Sequence, residues 1–355
     1  MQQMKSFGVW YKKREGDLIN PVFSIHVNFW SNSIKKDSSC ADLDIGIKIS
    51  NFKDVTEVVF HCPFSIQEGD VRDLYEKLTK KKNANIVFNA EGEIETRESF
   101  SVYKISEDDG NKYLLFCPMN QLNENIYKLN NKNGNTDIAF DLGKVNKILK
   151  KKGCFGDIPD IYIRFRITTN ALKNSIYFDS EPLNKSFDSA FSGTRVIDFK
   201  INENRNLGEV IVDSVNLEQY EWPEFDAVHL LVMEPSSYDV ESIPNEKMTC
   251  RELEADLWED YYESNMDSSK GHILAYHWKW IESKSPASLI KIKYSRTKKS
   301  ILIAYSLVVV ALGALGSLIV SFVQSFGCLG SAGFAVITFG IIVVLFVIGM
   351  IIGKK

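Results

Sequence analysis

The chain has 355 residues, with 46 Asp and Glu against 42 Lys and Arg, 45% hydrophobic residues and a formal net charge of −4. Its six cysteines (Cys40, Cys62, Cys117, Cys154, Cys250, Cys328) lie far apart with no CxxC pair, which excludes a disulfide framework and reads as reduced cytosolic thiols. The average charge hides two opposed parts: residues 1–283 carry −12 and residues 284–355 carry +8.

The opening "MQQMKSFGVWYKKREGD" has no apolar stretch before charge returns at Lys12, so no export signal is expected. Short apolar stretches of period two follow. "VFSIHVNFW" (Val22 to Trp30), "DLDIGIKIS" (Asp42 to Ser50), "DIYIRFRITT" (Asp160 to Thr169) and "RVIDFKI" (Arg195 to Ile201) read as strands with one buried face. "SVYKISEDDGNKYLLFCP" reads as a hairpin about Asp109-Gly110. Asp70, with Asp73 in the first turn, predicts a helix over "VRDLYEKL", and "NIVF" after it reads as a strand. Thr249 and Glu252 form a capping box ahead of an apolar stripe Leu253, Leu257, Tyr261 on an acidic helix, whose carboxylates read as a solvated face rather than a metal site. The asparagine-rich tract Asn120 to Asn135 is polar and turn-prone, and places a soft boundary there. The expected fold class is α+β: a β-rich cytosolic region followed by an α-helical transmembrane hairpin. Its parts are subdomains 1–125 and 136–283, a basic collar 284–300 and a hairpin 301–352.

No GxGxxG, GxxxxGK[ST], GxSxG or HExxH occurs, so no catalytic residue, cofactor or metal is assigned. His272 and His277, five apart on a strand, point to opposite faces, as do the adjacent His61 and Cys62. "IYIRFRI" alternates Ile161, Ile163, Phe165 and Ile167 with Tyr162, Arg164 and Arg166. Two guanidiniums beside an aromatic ring suit a phosphate and a stacked base, so these three are the candidate ligand-binding residues; the rival is a half-exposed strand whose arginines pair with acidic neighbours.

In the collar, Lys291, Lys293, Arg296, Lys298 and Lys299 suit anionic lipid headgroups at an inner leaflet. No charge interrupts Ile301–Phe326 or Ala332–Ile352, and each run is long enough to cross about 30 Å of hydrocarbon. The glycine-rich link "SFGCLGSAG" makes the spans antiparallel neighbours. Lys and Arg on both flanks place both termini and the large region on the cytoplasmic side of a plasma (inner) membrane. Ser306, Gly313, Ser317, Ser321 and Gln324 share a stripe of the first span that suits helix packing or a wet pore; because two helices cannot enclose a pore, conduction requires a homo-oligomer.

A cytosolic region, a charged collar and a two-span hairpin, in that order, resemble in architecture the membrane effectors of bacterial anti-phage signalling systems. The resemblance covers the order of parts and the final 72 residues, without a shared motif. It implies a ligand-gated effector or ion channel controlled by a nucleotide or oligonucleotide signal. A membrane-anchored scaffold and a membrane-anchored enzyme are the alternatives.

Overall fold

The computed structural model describes residues 5–16, 19–35, 40–97, 100–107, 110–121, 124–151, 158–180, 192–243, 247–262, 271–295 and 299–325. In chain order the strands begin with β1 (Gly8–Lys13), β2 (Val22–Trp30), β3 (Asp42–Ser50), β4 (Val55–Cys62), β5 (Val71–Asp73), β6 (Gly92–Arg97) and β7 (Phe100–Glu107). There follow β8 (Gly110–Cys117), β9 (Asn120–Gln121), β10 (Glu124–Asn125), β11 (Tyr127–Lys132), β12 (Asn135–Asp141), β13 (Asp160–Thr168) and β14 (Tyr177–Ser180). The last are β15 (Ser192–Lys200), β16 (Phe225–Pro235), β17 (Asp239–Ile243), β18 (Met248–Glu252), β19 (Ile273–Ile281) and β20 (Ala287–Ser295). Helices are α1 (Tyr75–Leu78), α2 (Lys81–Phe88), α3 (Leu142–Lys151), α4 (Asn204–Leu207), α5 (Glu209–Leu217), α6 (Ala255–Tyr262) and α7 (Lys299–Ser325).

One large sheet runs β18-β19-β16-β2-β3-β13-β8-β7-β6, with β5 pairing β13; two four-stranded sheets run β1-β4-β12-β11 and β14-β15-β20-β17. Alternation explains the layering, since successive side chains leave a strand on opposite faces. Phe23, Ile25, Val27 and Phe29 of β2, Leu43 to Ile49 of β3 and Ile161 to Ile167 of β13 join Val9, Phe60, Ile138, Phe140, Ile197, Phe199, Ile290 and Ile292 of the smaller sheets in one buried core. The bridge Phe7 to Ile201 links the two small sheets along that core. The opposite face of the large sheet is also covered: Trp30, Met233 and Ala275 pack under Leu253, Trp258, Tyr261 and Tyr262, while Tyr103, Phe116 and Tyr162 pack under Leu78, Ala84, Val87 and Phe88. The four sequence-read strands therefore form as expected, and β3 and β13 are buried on both faces, not one.

The β-rich expectation holds, with three local corrections. Residues 71–73, expected to open a helix, pair with β13 as β5, and the helix waits until Tyr75, whose N–H donates to Asp73 Oδ1 at 2.8 Å. "NIVF" is the end of α2, not a strand. Thr249 and Glu252 lie in β18 against β19; α6 starts at Ala255, so Trp258 and Tyr262 take the buried positions and Leu257 is 38% exposed. The asparagine-rich tract lies inside one compact unit, Met1–Glu181 with Gly193–Ser295. There Asn133 (φ 54°) and Gly134 (φ 77°) make the two-residue turn that joins β11 to β12 in register Lys132 to Asn135.

The helix α7 belongs to a second unit. Its window Tyr305–Phe322 has mean hydropathy 2.1 and is 0% buried, so the described residues hold one helix long and apolar enough to cross a membrane. The second run and the link, residues 326–355, lie outside the described residues.

Candidate functional site

The candidate ligand residues sit on one face of β13, Arg164 and Arg166 beneath α6 and Tyr162 beneath α2, and the alternation that placed them together is real. Their environment differs from the half-exposed face expected. Tyr162 is 0% exposed, Arg164 2% and Arg166 5%. Both guanidiniums are held by protein groups. Asp44, on neighbouring β3, accepts from Arg166 Nε at 2.6 Å and Nη2 at 3.0 Å, from Trp30 Nε1 at 2.8 Å and from the Tyr261 hydroxyl at 2.9 Å. Arg164 donates Nε to the Tyr261 oxygen at 2.5 Å and Nη1 to the Tyr162 oxygen at 2.7 Å; the Asn28 carbonyl oxygen, in the orientation that satisfies its amide, accepts from Nη2 at 2.9 Å. The Arg166 guanidinium lies over the Tyr262 ring at 4.8 Å. Next to it Asp42 accepts from Lys35 at 2.8 Å, from Thr168 at 2.7 Å and from Tyr262 at 2.9 Å.

Lys35, Arg164 and Arg166 face Asp42 and Asp44 here, which leaves one positive charge in excess. Burial pushes the Asp44 carboxyl up, but the Arg166 guanidinium outweighs it and holds the group below its ordinary value. Burial opposes charge on Arg164 and Arg166 as well, and the surrounding tyrosines and Asp44 keep both firmly protonated.

The cluster continues toward solvent as a polar seam. The Tyr162 oxygen, which accepts from Arg164, also lies 3.1 Å from His26 Nδ1 and so links the guanidinium to the imidazole. The His26 and His229 rings meet edge-on with centroids 5.0 Å apart, and His229 stacks on His277 with Nδ1 to Nε2 at 2.9 Å. Sequence reasoning missed this trio because its members come from β2, β16 and β19, and the signal was available only after strand pairing. Among the described residues no group of three or more His, Cys, Asp or Glu is arranged to hold a metal ion.

A concave site of about 250 Å³ lies on the outer face of β1-β4-β12-β11, beneath α5. His61 Nδ1 bonds Asp137 Oδ1 at 2.6 Å, the Tyr220 hydroxyl donates to Glu57 at 2.5 Å, and the Trp10 ring lies 5.5 Å from His61. His61 faces this groove and Cys62 the core, as alternation requires. His272 is exposed and bonds Glu252.

Of the expected membrane-surface lysines, Lys291 and Lys293 lie on β20, where the Lys293 ammonium pairs with Glu241 at 2.8 Å and stands opposite Asp239 in register. Of the other expected membrane-surface residues, Arg296 and Lys298 lie outside the described residues and Lys299 begins α7. On α7 the positions Ser306, Gly313, Ser317, Ser321 and Gln324 fall within an arc of about 80°. The Ser317 hydroxyl donates to the Gly313 carbonyl at 3.1 Å, which satisfies it within its own helix.

No family model matches this chain, and no curated protein matches it. Among solved structures it is similar to the Fcho1 Mu homology domain of Danio rerio with bound Eps15 peptide, at 8% identity over 84% of this chain and 81% of that one, with a TM-score of 0.15. A score of that size carries no argument about fold or ligand.

Proposed function

We propose that the chain is a membrane-anchored receptor and effector. Its β-rich unit reads a signal at the cytoplasmic surface of the plasma membrane. Its C-terminal apolar region, as an antiparallel hairpin, assembles with copies of itself and acts on the bilayer as a ligand-gated ion channel or disrupting module. The observation that carries this reading is the helix window Tyr305–Phe322, with mean hydropathy 2.1 and 0% of it buried, which is long and apolar enough to cross a bilayer. Three residues separate the start of α7 from β20, an inner strand of its sheet, so a change felt by that sheet has a short covalent path to the helix. The Ser306 to Gln324 stripe supports a helix that packs on copies of itself, and anti-phage defence is the setting that the architecture suggests.

The internal saturation of Arg164 and Arg166 favours a second reading, a membrane-anchored scaffold without conduction. Reconstitution separates the two. The receptor–effector reading expects an oligomer in detergent and ligand-dependent leakage of vesicle contents; a stable monomer, or an oligomer that never permeabilises vesicles, moves the assignment to the scaffold.

A further inference from the structure

The pairing registers bring a set of basic side chains into one row across the large sheet. Lys279 of β19 stands opposite His229 of β16, His229 opposite His26 of β2, His26 opposite Gly46 of β3, and Gly46 opposite Arg164 of β13. Directly opposed side chains sit about 5 Å apart at Cβ, and like charges in such positions are destabilising. No carboxylate stands in the row. At Gly46 a Cβ would lie 2.0 Å from the Tyr162 hydroxyl oxygen, so the gap is filled by the tyrosine that relays Arg164 to His26. His277 sits beside the row through its bond to His229.

The two ends differ in access. Arg164 is roofed by α6, whereas the three histidines are half-buried and Lys279 and Arg251 are exposed. The charged groups near the histidines come from every neighbouring element: Lys48 on β3, Arg164 on β13, Asp226 on β16, Arg251 on β18 and Lys279 on β19, with the Phe88 ring of α2 at 6.1 Å from His26. Lys48 is paired with Asp160 at 3.0 Å, and Asp226 is the carboxylate that opposes the rest. Burial first, then the neighbouring imidazole for His26 and His229 and the Arg251 and Lys279 cations for His277, hold all three imidazoles below their ordinary values, His229 at about 4. The histidines are therefore neutral N–H donors in an unneutralised positive field.

We propose that this row, Lys279–His229–His26 with His277 and Arg251 beside it, is a binding shelf for a phosphate-bearing small molecule. A polyanion supplies the missing negative charge, accepts the outward N–H groups, and by its field favours protonation of the imidazoles, so binding takes up protons. A metal fits poorly, because His229 and His277 spend facing nitrogens on each other and Lys279, Arg251 and Arg164 repel a cation. The inference deepens the receptor reading and rests on it for its signalling consequence.

The test is calorimetric titration of the full chain in detergent with inorganic pyrophosphate at low salt. Binding is expected, tighter by about tenfold near about pH 6 than near about pH 8. Lys279→Glu combined with Arg251→Glu, both at exposed positions, is expected to weaken it by about tenfold or more, whereas Lys291→Glu with Lys293→Glu on the other sheet leaves it unchanged. No binding, an affinity independent of pH, or equal sensitivity to both double variants overturns the proposal. Vesicle leakage reads the receptor–effector link separately: pyrophosphate binding without leakage faults that link, and leakage without binding faults the shelf.

Discussion

Arg166 and Asp44 meet side-on across two adjacent strands, Nε to Oδ1 at 2.6 Å and Nη2 to Oδ2 at 3.0 Å, with the Asp44 side chain 0% and the Arg166 side chain 6% exposed. Asp44 also anchors Trp30 and Tyr261, so this one carboxylate fastens α6 to the sheet. Asp44→Asn keeps the volume, removes the charge and strands a buried guanidinium. The expected cost is about 3–5 kcal/mol in urea unfolding of the β-rich unit. Replacing Asp44 and Arg166 together with Leu is expected to cost less than the two single changes combined, because neither member of the pair is left buried without the other. A loss under about 1 kcal/mol for Asp44→Asn would remove the pair from its structural role.

Acid should loosen the same face. His26, His229 and His277 bind protons less readily folded than unfolded, where a histidine titrates near 6.5. The native state thus holds fewer protons below that value. Stability is full above about pH 6.5 and is lost as pH falls toward the folded value of about 4 at His229. Urea midpoints measured across this window should fall with acid, and His229→Gln should flatten part of the slope; a midpoint that holds steady from neutral to pH 5 contradicts the assignment.

Glu234 predicts the opposite slope. Its carboxyl, 0% exposed, faces the sandwich interior with neither oxygen hydrogen-bonded and Arg195 Nη1 3.6 Å away. Burial raises it from 4.5 to about 7 against the pull of Arg195. The folded state binds the extra proton between those values, so this group's contribution is present below about pH 4.5 and is lost as pH rises through 7. Glu234→Gln should stabilise the protein near about pH 8 by an amount on the order of a few kcal/mol, and the gain should vanish below about pH 5. Arg195 keeps Asp179 at 3.0 Å and Ser31 at 2.6 Å in the variant. An effect independent of pH would point to packing instead.

The membrane readings give a matched pair of substitutions. Ser317→Leu places a bulky group on the hydroxyl-bearing stripe of α7, while Val344→Leu alters the second apolar run by one methylene. Reconstituted protein should lose ligand-dependent leakage with the first and keep it with the second; equal sensitivity removes any special role of the Ser306 to Gln324 stripe.

Topology is tested at Cys328 in the glycine-rich link. An impermeant thiol reagent on intact cells should label it and spare Cys62 and Cys154; labelling of the latter inverts the orientation. Cys62 is fully buried and Cys250 exposed, so Cys250 is the more sensitive internal control.

Period-two alternation made β2, β3 and β13 legible from the chain, because a strand's faces are set locally. Local signals also misled. Asp70 and Asp73 are good helix initiators, but pairing of Val71–Asp73 with β13 won, and Asp70 instead bonds the Gln67 N–H of the preceding turn. The Asn133-Gly134 dipeptide was a hairpin signal hidden in a tract whose polarity suggested a boundary. Neither the roof over Arg164 nor the histidine row was readable, since Tyr261 lies 97 residues from Arg164 and His229 lies 48 from His277. The Arg164 and Arg166 alternation gave the face but not its cover.

β2 lies between β3, which follows it closely in the chain, and β16, which pairs with it in parallel some two hundred residues later. β1 likewise waits for Glu221, and Phe7 for Ile201. The centre of the large sheet therefore cannot close until most of the β-rich region has left the ribosome. Such long-range, partly parallel pairing is slow to nucleate and leaves apolar strand edges open in the interval. Within about 70 residues of β16 the apolar helix begins, so the last strands of the sandwich emerge only shortly before that helix. A nascent chain that has not yet made β16 holds β2 paired on one side only, because the middle of the sheet is drawn from two segments that synthesis keeps far apart.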